Sequence, residues 1–131
     1  MQRKNVSTGA VWESQVGYSR AVRKGPFVFL SGTAAVGADG KVVGVGDAYA
    51  QTAFILRKME GALKECGAKL TDVVRTRVFV TDFRQWEAVG KAHAEFFANI
   101  RPAMTLIEVS KFVLPEFLVE IEMDAIVNEG A

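Results

Sequence analysis

The stretch from Phe117 to Val127 alternates in character residue by residue: Leu118, Glu120, Glu122 and Asp124 fall on one side, Val119, Ile121, Met123 and Ala125 on the other. A period of two is the pattern of a half-buried β-strand, whereas a helix would scatter both sets around its circumference. Side chains two apart on a strand stand about 6.8 Å from each other. Three carboxylates therefore form a row over one face, and the opposite face is greasy. The chain has to build a sheet that buries one face, and it has to give the acidic row cations, water or a cleft. A carboxylate held in a partly dry cleft is also a means of moving protons. Function is to be sought on this strand.

The 131 residues suffice for one domain with a sizeable core and are too few for two. Sixteen basic residues against 15 acidic ones give a net charge of +1, which provides no electrostatic footprint for nucleic acid or for an anionic membrane. The single cysteine, Cys66, has no internal partner for a disulfide, which points to a reducing, cytoplasmic setting. Met1-Gln2-Arg3-Lys4 leads into no apolar signal core, and no apolar run reaches transmembrane length. The expectation is a soluble intracellular domain spanning 1–131.

Along the chain, the first ten residues read as a loose tail or a short edge segment. Val16 to Val22 reads as a strand that turns at Lys24-Gly25-Pro26 into the apolar run Phe27-Val28-Phe29-Leu30, forming a hairpin. Ala38-Asp39-Gly40-Lys41 is a second turn before a short Val42-Val43 strand. Asp47 is the N-cap of a long helix reaching Cys66, stopped by Gly67, with Ile55, Met59, Ala62, Leu63 and Cys66 as its buried stripe. Val73 to Thr81 is a strand. Thr81 or Asp82 caps a second helix with Trp86, Val89, His93, Phe96 and Phe97 along one face, ended by Arg101-Pro102. Strands over Met104–Ser110 and Phe117–Val127 complete the order. With two helices and a mixed sheet, the helices cover one face. Apolar residues occur on both sides of the central strands, so the other face calls for another copy of the chain, and clefts between copies become candidate pockets.

The chain resembles the RidA/YjgF family of imine/enamine deaminases and related proteins. The resemblance is carried by Gly17-Tyr18-Ser19-Arg20-Ala21-Val22, Val28-Phe29-Leu30-Ser31-Gly32, Asp72 through Asp82, Ala94-Glu95-Phe96-Phe97, Arg101-Pro102-Ala103, Glu108-Val109 and Leu118-Val119-Glu120-Ile121-Glu122. It implies an α+β, chorismate-mutase-like fold, a homotrimer, and ligand clefts between neighbouring subunits. In active members such clefts hydrolyse 2-imino or enamino acids to 2-keto acids and ammonia, with no metal or cofactor. Carried over residue by residue, Tyr18 matches the pocket tyrosine, Ser31-Gly32 the segment lining the pocket with backbone groups, and Glu120 the glutamate that positions water and shuttles protons.

One departure weighs against a plain transfer of activity. After the Pro-Ala pair, active members have an arginine that clamps the substrate carboxylate through two bonds; here that residue is Met104. Methionine has no charge and only a weak sulfur acceptor. The family's asparagine early in the second helix is replaced as well, by Gly90. Arg20, where the family often has glutamine, is a candidate substitute, two residues from Tyr18 on a shared strand face. The alternative is that Arg20, Arg75 and Arg77 neutralise Glu120, Glu122 and Asp124 across the sheet.

His93, the only histidine, falls on an apolar helical stripe and reads as a core residue. One Cys and one His exclude a Cys/His zinc site, and Cys66 lacks the electropositive setting of a reactive thiol. Gly37, Gly40, Gly44 and Gly46 are turn residues, since no Gly-Lys-Ser/Thr follows them. Arg20, Arg23 and Lys24 make a small basic spot without the aromatic ladder of a single-strand RNA binder. Three function classes follow: a hydrolase of small imines or enamines with altered anchoring, a non-catalytic small-molecule-binding trimer, and an interaction protein using the trimer surface.

Overall fold

Residues 1–128 are described by the computed structural model. Their elements run β1 (Arg3–Val6), α1 (Val11–Val16), β2 (Ala21–Lys24), β3 (Phe27–Thr33), α2 (Ala48–Glu65), β4 (Val73–Val80), α3 (Trp86–Phe97), β5 (Ala103–Glu108) and β6 (Val119–Ile126). The strands form one sheet in the order β1-β2-β3-β6-β4-β5, so the alternating C-terminal stretch lies inside it. Only β4 and β5 pair in parallel; every other neighbour is antiparallel. Because β3 and β4 both run against β6, they run with each other. Thus β3-α2-β4 and β4-α3-β5 are both crossover units, and the right-handed sense of such units sets both helices on the same face.

That face is the core. Val28 and Leu30 of β3, Val78 and Val80 of β4 and Ile121 and Met123 of β6 pack against Ile55, Leu56, Met59 and Leu63 of α2 and Val89 and Phe97 of α3. Each such side chain, taken fully out of water, stabilises the fold by about 1.5–3 kcal/mol. The long helix begins as its sequence demands: Asp47 Oδ1 accepts from the Ala50 amide at 3.0 Å, satisfying one of the free N-terminal N–H groups. It ends at Gly67, whose φ of 76° is the left-handed conformation that glycine adopts without strain.

Three expectations are revised, and of the two readings of the first ten residues the edge segment holds: they contain an edge strand, β1, paired with β2. The strand expected over Val16–Val22 starts only at Ala21, because Val11–Val16 is a short helix closed by Gly17 at φ 91°. The Gly17 and Tyr18 amides both donate to Glu13 O, a helix-ending pattern that competes with strand pairing. Val42 makes an isolated bridge with Val36 instead of a strand. Asp82 caps a single 3₁₀ turn, Phe83–Gln85, from which α3 continues.

The second face of the sheet is open. Phe27, Phe29, Ile107 and Ile126 are 42, 50, 45 and 46% exposed there. Arg77 bridges part of the acidic row, with Nη1 3.4 Å from Glu122 Oε1 and 3.2 Å from Asp124 Oδ2. Among the described residues, no helix is long and apolar enough to cross a membrane.

Candidate functional site

Where β3 meets β6 the ladder slips: Leu30 pairs with Met123 and Thr33 with Ile121, so β3 takes one residue more than β6 between them. This bulge contains Ser31 and Gly32. It lets Leu30 and Thr33 both face the core despite their odd spacing, and it re-aims the two residues between. Glu120 lies against Gly32, and a Cβ on Gly32 would come within 3.2 Å of Glu120 Cδ and 3.3 Å of Oε2. Glycine at position 32 is what leaves this carboxylate its place.

A cavity of about 250 Å³ opens beside Glu120 at this end of the sheet. Tyr18, Arg20, Gly32 and Glu120 line it, together with Glu13 of α1 and Lys58 of α2. Its apolar wall comes from Trp12, Val16, Val113 and Phe117. Arg20 is nearly buried, 8% exposed, and its Nη1 donates to Gly32 O at 2.9 Å and to Thr33 Oγ1 at 3.0 Å. Its guanidinium lies over the Tyr18 ring at 5.6 Å, within cation–π range. Tyr18 and Arg20 therefore do meet, though not through the shared strand face expected of them, since Tyr18 precedes β2.

The charges around the cavity are unequal in their freedom. Burial pushes the Glu120 carboxyl above its ordinary pKa, reinforced by Glu122 and opposed by Arg20. Burial also resists ionisation of Glu13, but hydrogen bonds from Thr8 and Ser7, helped by Arg20, outweigh it and hold that carboxyl low. Lys58 is pushed below the usual lysine range by burial first and by Arg20 second. The cavity thus pairs a Glu13 whose hydrogen bonds favour the ionised form with a Glu120 whose burial opposes it.

Ser31 faces an adjoining groove with Tyr18 and Ser19, and its hydroxyl donates to Ser19 O at 2.7 Å. Met104 stands apart. It pairs with Thr76 on the helix-covered side, 39% exposed on edge strand β5, whereas Glu120 pairs with Phe79 on the open side. Within one chain the two do not meet. His93 is buried as expected, its Nε2 2.9 Å from Thr76 Oγ1, and burial lowers its pKa. Cys66 is buried and its thiol pKa raised by that burial, although Lys4 and Arg23 lie near enough to oppose it. The supposed basic spot is dispersed, with Arg20 in the cavity and Arg23 bonded to Gly25 O and Cys66 O.

Glu13 and Lys58 were not legible as site residues. Lys58 did carry a signal: it is three residues beyond Ile55 and one before Met59, so it interrupts the apolar stripe of α2. Glu13 sits in a six-residue helix, too short to display a period.

A family model described as endoribonuclease L-PSP matches residues 9–127. A solved member of the YjgF/YER057c/UK114 family from Mycobacterium tuberculosis is similar at 48% identity and a TM-score of 0.88, over 96% of this chain and 100% of that one. An uncharacterized protein of Streptomyces coelicolor is 38% identical over 93% of this chain and 90% of its own. The 3-aminoacrylate deaminase RutC of Acinetobacter baylyi is 34% identical over 79% of this chain and 82% of its own. The α+β, chorismate-mutase-like fold implied by the resemblance is the one observed.

Proposed function

The chain belongs to the endoribonuclease L-PSP family, which includes the YjgF/RidA proteins, and from that premise we propose that it is a deaminase-type hydrolase of small imines or enamines. The observation that carries this reading is Glu120, a carboxylate lining a partly dry cavity with its pKa raised by burial. A relative named as a 3-aminoacrylate deaminase supports the reaction type. A general acid–base works best when its pKa lies near the working pH, so that it is available in both forms.

The steps balance with this one shuttle. Water adds to the iminium carbon while the Glu120 carboxylate takes a proton from it, leaving a neutral carbinolamine. The protonated Glu120 then gives that proton to the nitrogen. The C–N bond breaks as Glu120 removes the hydroxyl proton, forming the keto group and ammonia. Ammonia finally takes the proton and leaves as ammonium. Arg20 beside the carboxylate keeps its ionised form accessible against the cost of burial.

The same reading places the reacting cleft between copies in a homotrimer. Met104 and Glu120 lie on opposite faces of the sheet in one chain, so position 104 reaches a Glu120 cavity only from a neighbour. The exposed Phe27, Phe29, Ile107 and Ile126 supply an apolar surface for such packing. Met104 in place of a clamping arginine favours one second reading, a trimer that binds its ligand without turning it over. RNA cleavage is not favoured, because Arg20 is enclosed in the cavity and Arg23 is committed to backbone carbonyls.

The test generates 2-aminoacrylate or 2-iminobutanoate in situ and follows ammonia release. Catalytic amounts of protein should speed release over the spontaneous rate, and Glu120→Gln should lower the enzymatic rate by about 10²-fold or more, the usual worth of a general acid–base. If neither the natural protein nor Met104→Arg accelerates hydrolysis, the binding-only reading replaces this one.

A further inference from the structure

The cavity beside Glu120 contains cationic donors that its own residues leave partly unfilled. Arg20 and Lys58 both line it. The Arg20 Nε–H is buried and meets no acceptor among the described residues. Lys58 Nζ donates one hydrogen bond, to Val36 O at 3.2 Å, out of the three an ammonium can make. The two cations sense each other, since the Arg20 charge adds to burial in depressing the lysine.

Of the two carboxyls on the same walls, one is already engaged. Glu13 accepts from the Ser7 hydroxyl at 2.8 Å and from both the hydroxyl and the amide of Thr8. Burial works against the ionised form of Glu120, and Arg20 works for it. Two cations with unfilled donor capacity thus stand in the cavity, while Glu13 is committed to Ser7 and Thr8. In a partly dry setting like charges repel more strongly than in water, and an entering anion relieves both the repulsion and the lost solvation.

We propose that Arg20 and Lys58 form an anion subsite that takes the ligand's carboxylate from within the chain that carries Glu120. The ligand class follows from the apolar part of the lining. Trp12, Val16, Val113 and Phe117 offer an apolar surface, and about 250 Å³ admits a few carbons beside a water. The site suits a small 2-imino or 2-keto acid with an apolar side chain. Its carboxylate sits on the cation pair, its side chain lies against the aromatic wall, and its reacting carbon shares the cavity with Glu120. Arginine contributes a planar fork of donors and lysine a point charge, a combination that fixes a carboxylate without a guanidinium at position 104.

The inference rests on the reading of this cavity as the reaction site, and the two are separable. The experiment titrates the native oligomer by calorimetry with 4-methyl-2-oxopentanoate and with its uncharged counterpart, 4-methylpentan-2-one. The keto acid should bind more tightly than the ketone. Lys58→Met should weaken the keto acid at least tenfold, and Arg20→Gln by more, while the ketone binds all three proteins alike. Arg20→Gln loses its contacts to Gly32 and Thr33, so Lys58→Met, which gives up only one loop hydrogen bond, decides the matter if the arginine variant misfolds.

Keto acid affinity within twofold of the natural protein in Lys58→Met, or no preference for the acid over the ketone, overturns the subsite. Ammonia release is read separately. Charge-dependent binding without faster hydrolysis keeps the subsite and removes the hydrolase. Faster hydrolysis with an unchanged KM in Lys58→Met does the reverse.

Discussion

Glu120 is set between opposing influences, and its stability effect follows from their sign. Its folded-state pKa lies above the free value of 4.5 because burial outweighs the attraction of Arg20. A carboxyl raised in this way contributes its full share to stability below the unfolded pKa, and that share is lost as pH rises through the folded value. At neutral pH the ionised group is therefore a cost that the fold tolerates. Glu120→Gln should raise the melting temperature at pH 7 by a few degrees, since the neutral amide escapes the cost of burying a charge. The gain should vanish below pH 4.5, where both side chains are neutral in folded and unfolded chains. Thermal scans at the two pH values check this, and a lower melting point at pH 7 would mean that Arg20, not burial, governs the group. Such a cost of burial is what the proposed acid–base role would require the fold to tolerate.

The elements around the cavity differ in how openly the sequence declares them. The helix α2 was legible because Asp47, Gly67 and a stripe of Ile55, Met59, Ala62 and Leu63 all agree on one period and two ends. Strand β6 was legible for the same reason at a period of two. The cavity wall was not, because α1 is only six residues long and buries just Glu13, leaving no repeat to read. The bulge at Ser31-Gly32 arises from pairing between β3 and β6, which are distant in sequence, so no local signal encodes it. The resemblance supplied Tyr18, Gly32 and Glu120, and the structure added Lys58 and Glu13. The hinge of the hidden wall is Gly17. Its φ of 91° is left-handed, and nothing lies within 4 Å of a Cβ built there, so a side chain meets backbone strain alone. Gly17→Ala should cost about 1–2 kcal/mol, measured as a lower urea midpoint at unchanged slope. Because α1 carries Glu13 and Trp12 into the cavity wall, keto acid affinity should fall with it. A variant as stable as the natural protein would show that the α1 turn re-forms without the left-handed residue.

For the molecule as a whole the telling asymmetry is between the two faces of the sheet. The helix-covered face is closed, with Val28, Val78, Val80, Val119, Ile121 and Met123 fully buried. The open face exposes Phe27, Phe29, Ile107 and Ile126 around the partly exposed Arg77–Glu122–Asp124 ion network. Exposed aromatics grouped on a sheet face are costly in water, and packing copies together removes them from it. In the proposed trimer this face is the interface, and the mass in solution is three times the 14.3 kDa of the chain. Phe29→Lys separates assembly from folding. Phe29 lies opposite Asp124 on β6, so a lysine finds a counter-ion within its own chain, while a contact between copies is asked to bury a charge. Light scattering should report monomers with an unchanged circular dichroism spectrum, and a persisting trimer would exclude this face as the interface. The two activities should then part company. Ammonia release should collapse, because in the proposed trimer a neighbour completes the reacting cleft. The affinity for 4-methyl-2-oxopentanoate should fall only a few fold, because Arg20, Lys58 and Glu120 line one cavity in one chain.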